Sequence, residues 1–177
     1  MCLVACFVPA VAAAQTTTTP QPPSASPNTT GGVSPTDPQF QPAPKARIVN
    51  GIAIPPIGAP QEVVDAINAA NQIVTKPYIF GGGHRSFHSR GYDCSGSVSF
   101  ALHGAGLLDT PLASGDMESW GDPGPGQWVT IYANGGHAYM VVAGLRFDTS
   151  GATATGSRWQ TDMRSSRGYV GRHPDGL

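Results

Sequence analysis

Cys94 is the side chain of this sequence best suited to nucleophilic chemistry. It stands in the stretch GYDCSGSVSF, between an acidic residue and a Ser-Gly pair. Apolar residues at three- and four-residue steps predict a helix that begins at Cys94 and ends near Gly104. A helix N-terminus lowers the pKa of a thiol because it stabilises the thiolate, the nucleophilic form. We therefore expect a reactive cysteine, and a buried inert thiol is the alternative.

A cysteine nucleophile also needs a base, and the chain has five histidines. His137 directly follows the glycine turn Asn134-Gly135-Gly136 and begins a predicted strand, which would hold the ring rigidly. The other four lie on the far side of the Cys94 helix, in the loop GGGHRSFHSRGY or in the C-terminal tail: His103, His84 and His88, and His173. His137 is therefore the predicted base, and a histidine that merely caps a strand is the alternative.

Asp148 is the predicted partner for the second ring nitrogen of His137. A carboxylate at that position would orient the imidazole and stabilise its protonated form. The chain reverses near Ala143-Gly144, which returns Asp148 to within a residue or two of the level of His137. A turn or surface aspartate is the alternative. His84 and His88 have a spacing that can bind zinc on a helix, but they lie in a predicted loop, so no metal or cofactor is predicted.

Charge and composition exclude several kinds of partner. The formal net charge is −1, and 12% of the 177 residues are charged, about half the ~25% that is usual for soluble domains. Such a balance offers no electrostatic attraction for nucleic acid or for an anionic membrane surface. Oligomeric state is left open by the sequence.

The first residues resemble an export signal. Residues 1–14, MCLVACFVPAVAAA, are apolar and end in small residues, which predicts a secretory signal peptide, although a basic n-region is missing. The run is shorter than the ~20 residues that span a bilayer, so no integral membrane span is predicted. Lipid attachment at Cys6 and a buried apolar strand are the alternatives. Cleavage after the signal would leave Cys94 as the one cysteine of the mature chain.

The composition then divides the rest of the chain in two. Residues 15–55 are rich in Pro, Thr and Ser, which predicts a disordered linker. Residues 56–177 are long enough for one domain with one core. A helix is predicted from Gln61 to about Val74, followed by the Cys94 helix and then by strands near 128–132, 137–143, 145–148 and 168–172. Helices that precede strands indicate an α+β fold with an antiparallel sheet.

Four motifs in this order resemble the NlpC-type cysteine peptidases, bacterial cell-wall hydrolases with a papain-like fold. The stretches are Pro77 to Gly82 (PYIFGG), Asp93 to Gly96 (DCSG), Pro125 to Val129 (PGQWV) and His137 to Val141 (HAYMV). The resemblance covers about residues 71–150. It departs from the family pattern at Gln127, where an Asp is usual, in the long loop before Asp93, and in the C-terminal tail.

The resemblance implies a papain-like arrangement, in which N-terminal helices carrying the nucleophile pack on an antiparallel β-sheet. It also implies site roles. Cys94 would attack an amide carbonyl, His137 would shuttle the proton, Asp148 would take the third, orienting position, and Tyr78 would help to stabilise the oxyanion. Three further residues match positions that line the family's substrate cleft: Asp93, Ser95 and Ser114.

The function implied is that of a secreted or cell-wall-associated bacterial peptidase. It would hydrolyse peptidoglycan stem peptides, often after γ-D-glutamate. Two alternatives stay open. The same residues could serve an amidase or acyltransferase with another acyl substrate, or the domain could be a catalytically silent module that binds the cell wall.

Overall fold

The structure is a computed structural model that describes residues 44–177. The predicted signal peptide (1–14) and most of the predicted linker (15–55) lie outside the described residues. The last part of that linker is described, and there the prediction of disorder is wrong. Strands β1 (Arg47–Val49) and β2 (Ile52–Ile54) form an antiparallel hairpin, so the folded part begins before residue 56.

The hairpin is ordered because its turn and its packing are both specified by the sequence. Asn50 and Gly51 have φ values of 51° and 79°, as an Asn-Gly hairpin turn requires. Ala53 is fully buried, and its backbone N–H and C=O both bond the side-chain amide of Asn71, at 3.0 and 2.9 Å. The hairpin is thus attached to the first helix of the domain.

Two long helices and two short ones form the helical part of residues 44–177. The long helices lie where the sequence predicts them. Their bounds are Gln61–Ile73 (α1), Cys94–Gly104 (α2), Ser114–Met117 (α3) and Ala152–Thr155 (α4). Helices α1 and α2 pack against each other, and a Cβ at Gly104 would collide with that of Ala69. The glycine that ends α2 therefore also lets the two helices approach closely.

The sheet of the domain has six strands, and all neighbouring strands are antiparallel, as the sequence predicts. The order across the sheet is β3-β8-β4-β5-β6-β7. The strands are Asp122–Pro123 (β3), Val129–Asn134 (β4), His137–Val142 (β5), Leu145–Phe147 (β6), Trp159–Gln160 (β7) and Val170–His173 (β8). The two-residue strands β3 and β7 and the short helices α3 and α4 are not foreseen in the sequence.

The core lies between the two long helices and one face of the sheet. Its fully buried members include Ile67 of α1, Leu102 of α2, and Ile131 and Met140 of β4 and β5. Because α2 packs against β5, the two elements that carry Cys94 and His137 are neighbours. This is the predicted α+β arrangement, with the cysteine on a helix that packs on an antiparallel sheet. Within residues 44–177, no helix is both long and apolar enough to span a bilayer.

Candidate active site

The position of Cys94 is fixed by the N-cap of α2. Asp93 is the capping residue, and its Oδ1 accepts a hydrogen bond from the backbone N–H of Gly96 at 2.8 Å. Its Oδ2 accepts one from the N–H of Gly81 at 2.9 Å. One carboxylate thus joins the helix start to the preceding glycine loop. Cys94 is the first helical residue, and it is 8% exposed.

Glycines allow that loop to lie directly against the helix. A Cβ on Gly96 would collide with the carbonyl oxygen of Gly82, and one on Gly82 would collide with the carbonyl of Gly91. Gly81 and Gly83 have φ values of 74° and 90°, in the left-handed region that favours glycine. The run of three glycines is therefore needed for two reasons: it allows the left-handed backbone of the loop, and it allows the loop to approach the nucleophile helix closely.

His137 reaches the site from the start of β5. Asn134 fixes the turn before it, because its Oδ1 accepts hydrogen bonds from the backbone N–H groups of Gly136 and His137, at 3.0 and 2.9 Å. The Nε2 of His137 lies 2.9 Å from Oδ1 of Asp148. The thiol of Cys94 is close enough to this ring for each group to shift the pKa of the other. The backbone N–H of Ala138, the next residue on β5, also acts to lower the pKa of that thiol.

Asp148 is buried and has partners at both carboxylate oxygens. Oδ1 accepts from His137 and from the backbone N–H of Ser150, the latter at 2.8 Å. Oδ2 accepts from Arg164 at 2.9 Å and from Arg146 at 3.4 Å. The structure thus brings together the three side chains that the sequence predicts for the dyad and its orienting residue.

The ionisation of all three groups is shifted in the sense that cysteine chemistry requires. Burial alone would raise the pKa of Cys94, but the hydrogen bonds from His137 and Ala138 hold it below the ordinary thiol value. Burial alone would lower the pKa of His137, but bonds to Asp148 and Cys94 raise it to about 9. Burial would likewise raise the pKa of Asp148, yet its bonds to His137, Ser150 and Arg164 lower it. These directions favour a thiolate paired with an imidazolium.

Tyr78 lies at the edge of the same site and is 56% exposed. Partial burial, and then the nearby negative charges of Cys94 and Asp93, raise the pKa of its hydroxyl. The hydroxyl therefore stays protonated and can donate a hydrogen bond. The backbone N–H of Cys94 points out of the first turn of α2 and has no acceptor among residues 44–177. These are the two donors that the predicted oxyanion site would use.

Known proteins with related sequences and structures were found by two comparisons. The peptidoglycan endopeptidase RipB of Mycobacterium tuberculosis is 33% identical over 119 residues, and the match covers 53% of this chain and 49% of RipB. A solved structure of the peptidoglycan hydrolase RipB superposes with a TM-score of 0.50 and 27% identity, over 67% of this chain and 68% of that one. The sequence of this chain is thus similar to that of RipB, and its fold is the α+β, papain-like fold of that protein. No protein-family model matches the chain, which spans about half the length of the curated RipB sequences.

The candidate site also has a histidine beside two of the predicted substrate residues. The Nε2 of His84 lies 3.0 Å from the carboxylate of Asp93 and 3.1 Å from the hydroxyl of Ser95. From the sequence alone, His84 lies in a predicted loop, where the position of its ring could not be predicted. The loop returns toward α2 because of two hydrogen bonds from Tyr92. Its backbone N–H donates to the carbonyl of Pro77 at 3.0 Å, and its hydroxyl donates to the carbonyl of Phe87 at 2.7 Å.

Ser114, the third predicted substrate residue, begins the short helix α3 and is half-buried. No hydrogen bond within the described part of the chain joins it to Cys94 or His137. Its predicted role in the cleft therefore stays a prediction. The remaining histidines are apart from the site: His103 bonds the Leu108 carbonyl, His173 bonds that of Gly124, and His88 is exposed. Residues 44–177 contain no cluster of three or more potential metal ligands.

Arginines are the functional feature that the sequence interpretation missed. Their even scatter through the tail suggests solvated surface residues, but Arg158 is only 2% exposed. It donates to the carbonyls of Ile73 at 2.5 Å, Tyr92 at 3.3 Å and Pro77 at 3.4 Å. Arg158 therefore ties the end of α1 to both ends of the loop that precedes the nucleophile. No local pattern marks it, because its partners are 66 or more residues away.

Proposed function

We propose that this chain is a secreted cysteine peptidase that hydrolyses amide bonds in the stem peptides of peptidoglycan. The observation that carries the proposal is the position of His137 between Cys94 and Asp148. Nε2 of the ring bonds Asp148 at 2.9 Å, and the ring and the Cys94 thiol shift each other's pKa, so a single imidazole links the nucleophile to a buried carboxylate. An inert structural thiol would need neither partner.

The proposed reaction has two steps. The Cys94 thiolate attacks the carbonyl carbon of the scissile amide, and the oxygen becomes an oxyanion that accepts hydrogen bonds from the Cys94 N–H and from Tyr78. When the C–N bond breaks, the imidazolium of His137 gives its proton to the leaving amine, and a thioester remains. His137, now neutral, takes a proton from water, which attacks the thioester and releases the carboxylic acid and the thiolate.

The choice of peptidoglycan as substrate is supported by likeness to RipB, which is named as a peptidoglycan endopeptidase. Asp93 and Ser95 are proposed to line the substrate cleft, since they flank Cys94 at the start of α2. Export is proposed from residues 1–14, which carry an apolar run and a small-residue end. Cleavage after γ-D-glutamate is proposed from the family resemblance alone.

Digestion of purified peptidoglycan, followed by mass spectrometry of the soluble fragments, tests the proposal. The full chain should release stem-peptide fragments with new amino and carboxyl termini, and Cys94→Ala should release none. Fragments cut at the bond between the glycan and the peptide would instead indicate an amidase. Sedimentation with the insoluble wall without any fragment would indicate a binding module. Either of these two results would overturn the proposed function.

A further inference from the structure

The carboxylate of Asp148 is held more firmly than the orientation of one histidine requires. Its side chain is fully buried, and each oxygen has two donors. The donors are divided by charge. Oδ1 takes His137 and a backbone N–H, whereas Oδ2 takes two guanidinium groups, those of Arg146 and Arg164. The proposed mechanism uses Oδ1 and leaves the two arginines without a role.

Arg164 is the closer of the two arginines. Its Nη1 lies 2.9 Å from Oδ2, against 3.4 Å for Arg146. Arg146 is also shared with Gln160 and with Asp162, the latter at 3.0 Å, so its guanidinium is already committed to other acceptors. Arg164 has no other acidic partner among residues 44–177. Its charge is therefore directed at Asp148.

Two aromatic rings keep Arg164 in that place. Its guanidinium carbon lies 5.2 Å from the centre of the Tyr139 ring and 5.3 Å from that of Tyr169, distances at which a cation is attracted to the ring face. Tyr139 is on β5, two residues after His137, and Tyr169 directly precedes β8. The arginine thus joins the tail to the strand that carries the imidazole. This tail lies outside the region of family resemblance.

A carboxylate turns easily about its last side-chain bond, because that torsion is broad and roughly two-fold. An anchor on Oδ2 prevents this rotation and keeps Oδ1 aimed at the ring. We infer that Arg164 is a positioning residue, which holds Oδ2 of Asp148 so that Oδ1 orients His137 toward Cys94. The inference rests on the proposed function only for its catalytic consequence, since the contacts themselves need no substrate.

The directions of ionisation agree with an action that passes through Asp148. Arg164 lowers the pKa of Asp148, whereas the interactions that raise the pKa of His137 come from Asp148 and Cys94. Six other ionisable side chains lie around Cys94, His137, Asp148 and their partners: Tyr78, Asp93, Tyr139, Arg146, Asp162 and Tyr169. Substitution of Arg164 removes none of these six groups.

The two ways in which Arg164 could act predict opposite shifts of His137. If it acts only as a nearby positive charge, its removal relieves repulsion of the imidazolium, and the titration midpoint of His137 rises. If it positions Asp148, its removal weakens the bond that stabilises the imidazolium, and the midpoint falls from about 9 toward the ordinary value. The direction of the shift therefore decides between them.

The test compares Arg164→Ala and Arg164→Lys with Arg167→Ala, a matched change at an exposed arginine three residues later. NMR titration of the His137 ring, which needs no substrate, gives the midpoint. Steady-state hydrolysis of a stem peptide gives kcat and KM. We expect a lower midpoint and a kcat that is roughly ten- to a hundredfold lower in Arg164→Ala, with KM unchanged. The lysine variant should lie between Arg164→Ala and the parent, and Arg167→Ala should match the parent.

A higher midpoint, an unchanged one, or a rise in KM alone would overturn the inference. The last result would make Arg164 a substrate-binding residue. If Arg164→Ala does not fold, Arg164→Lys decides by the same criteria. The proposed function and the positioning role can fail separately. If the parent chain does not cut peptidoglycan but the His137 midpoint still falls in Arg164→Ala, the proposed function is refuted and the positioning role stands.

Discussion

Removal of the Asp148 carboxylate should lower both the turnover and the upper pH limit of activity. The pKa of His137 is raised from 6.5 to about 9, and the first of the raising causes is its hydrogen bond to Asp148. A shift of that size corresponds to about 3 kcal/mol in favour of the imidazolium. Hydrogen bonds to charged groups contribute about 1.5–3 kcal/mol. Loss of this bond should therefore lower the pKa by about 1 to 2 units.

The sign follows from the raised pKa. The imidazolium persists up to about pH 9 in the parent and is lost as the pH rises through that value. In Asp148→Ala the imidazolium is lost at a lower pH, so the alkaline limb of the pH–rate profile shifts to lower pH. Turnover at neutral pH should fall by roughly ten- to a thousandfold. Losses of this size are typical when a residue that orients a catalytic group, or one that assists a general base, is removed. Asp148→Asn should retain more activity, because an amide oxygen can still accept from His137.

The assay is hydrolysis of a stem peptide from neutral to alkaline pH, with thermal unfolding as the control for folding. Unchanged turnover together with an unchanged alkaline limb in Asp148→Ala would refute the assignment. Ser150 would then be tested, since its hydroxyl lies 3.5 Å from Nε2 of His137.

Three further changes test other parts of the site. Cys94→Ala should abolish hydrolysis with little loss of stability, and His137→Ala should be as damaging, because the two residues act as one unit; loss of folding in place of activity would point to a structural thiol. Gly96→Ala should abolish activity, because its Cβ would displace the glycine loop, whereas Gly115→Ala, which meets no atom within 4 Å, should be neutral in the same assay. Arg158→Met should lower the free energy of unfolding by about 3 kcal/mol in a denaturant titration, because several buried carbonyls lose their donor. Equal or greater stability would show that burying the charge of Arg158 costs more than its hydrogen bonds contribute.

Local patterns in the sequence were sufficient for most of the fold and for the centre of the site. Apolar spacing predicted α1 and α2 to within a residue, and the Asn134-Gly135-Gly136 signal predicted the hairpin that presents His137. The position of Asp148 followed from the reversal at Ala143-Gly144, where both residues have positive φ. These features depend on residues close together in the chain.

The features that were missed depend on distant residues or on signals that were outweighed. The Asn50-Gly51 turn has the typical hairpin signature, but the Pro- and Thr-rich composition around it favoured a disordered linker. Arg158 and Arg164 look like surface residues until the fold brings them to Ile73 and Asp148. A lone arginine carries no local mark of burial, because its partners are set by the tertiary structure.

The pH dependence of Cys94 alkylation by iodoacetamide tests most directly whether this fold creates a reactive thiolate. The rate reports the thiolate fraction and needs no substrate. In the parent, the midpoint should lie below that of an ordinary thiol, because His137 and Ala138 stabilise the anion. In His137→Ala it should move up toward the ordinary value. An ordinary midpoint in the parent, or one that His137→Ala leaves unchanged, would contradict the account of Cys94 as an activated nucleophile.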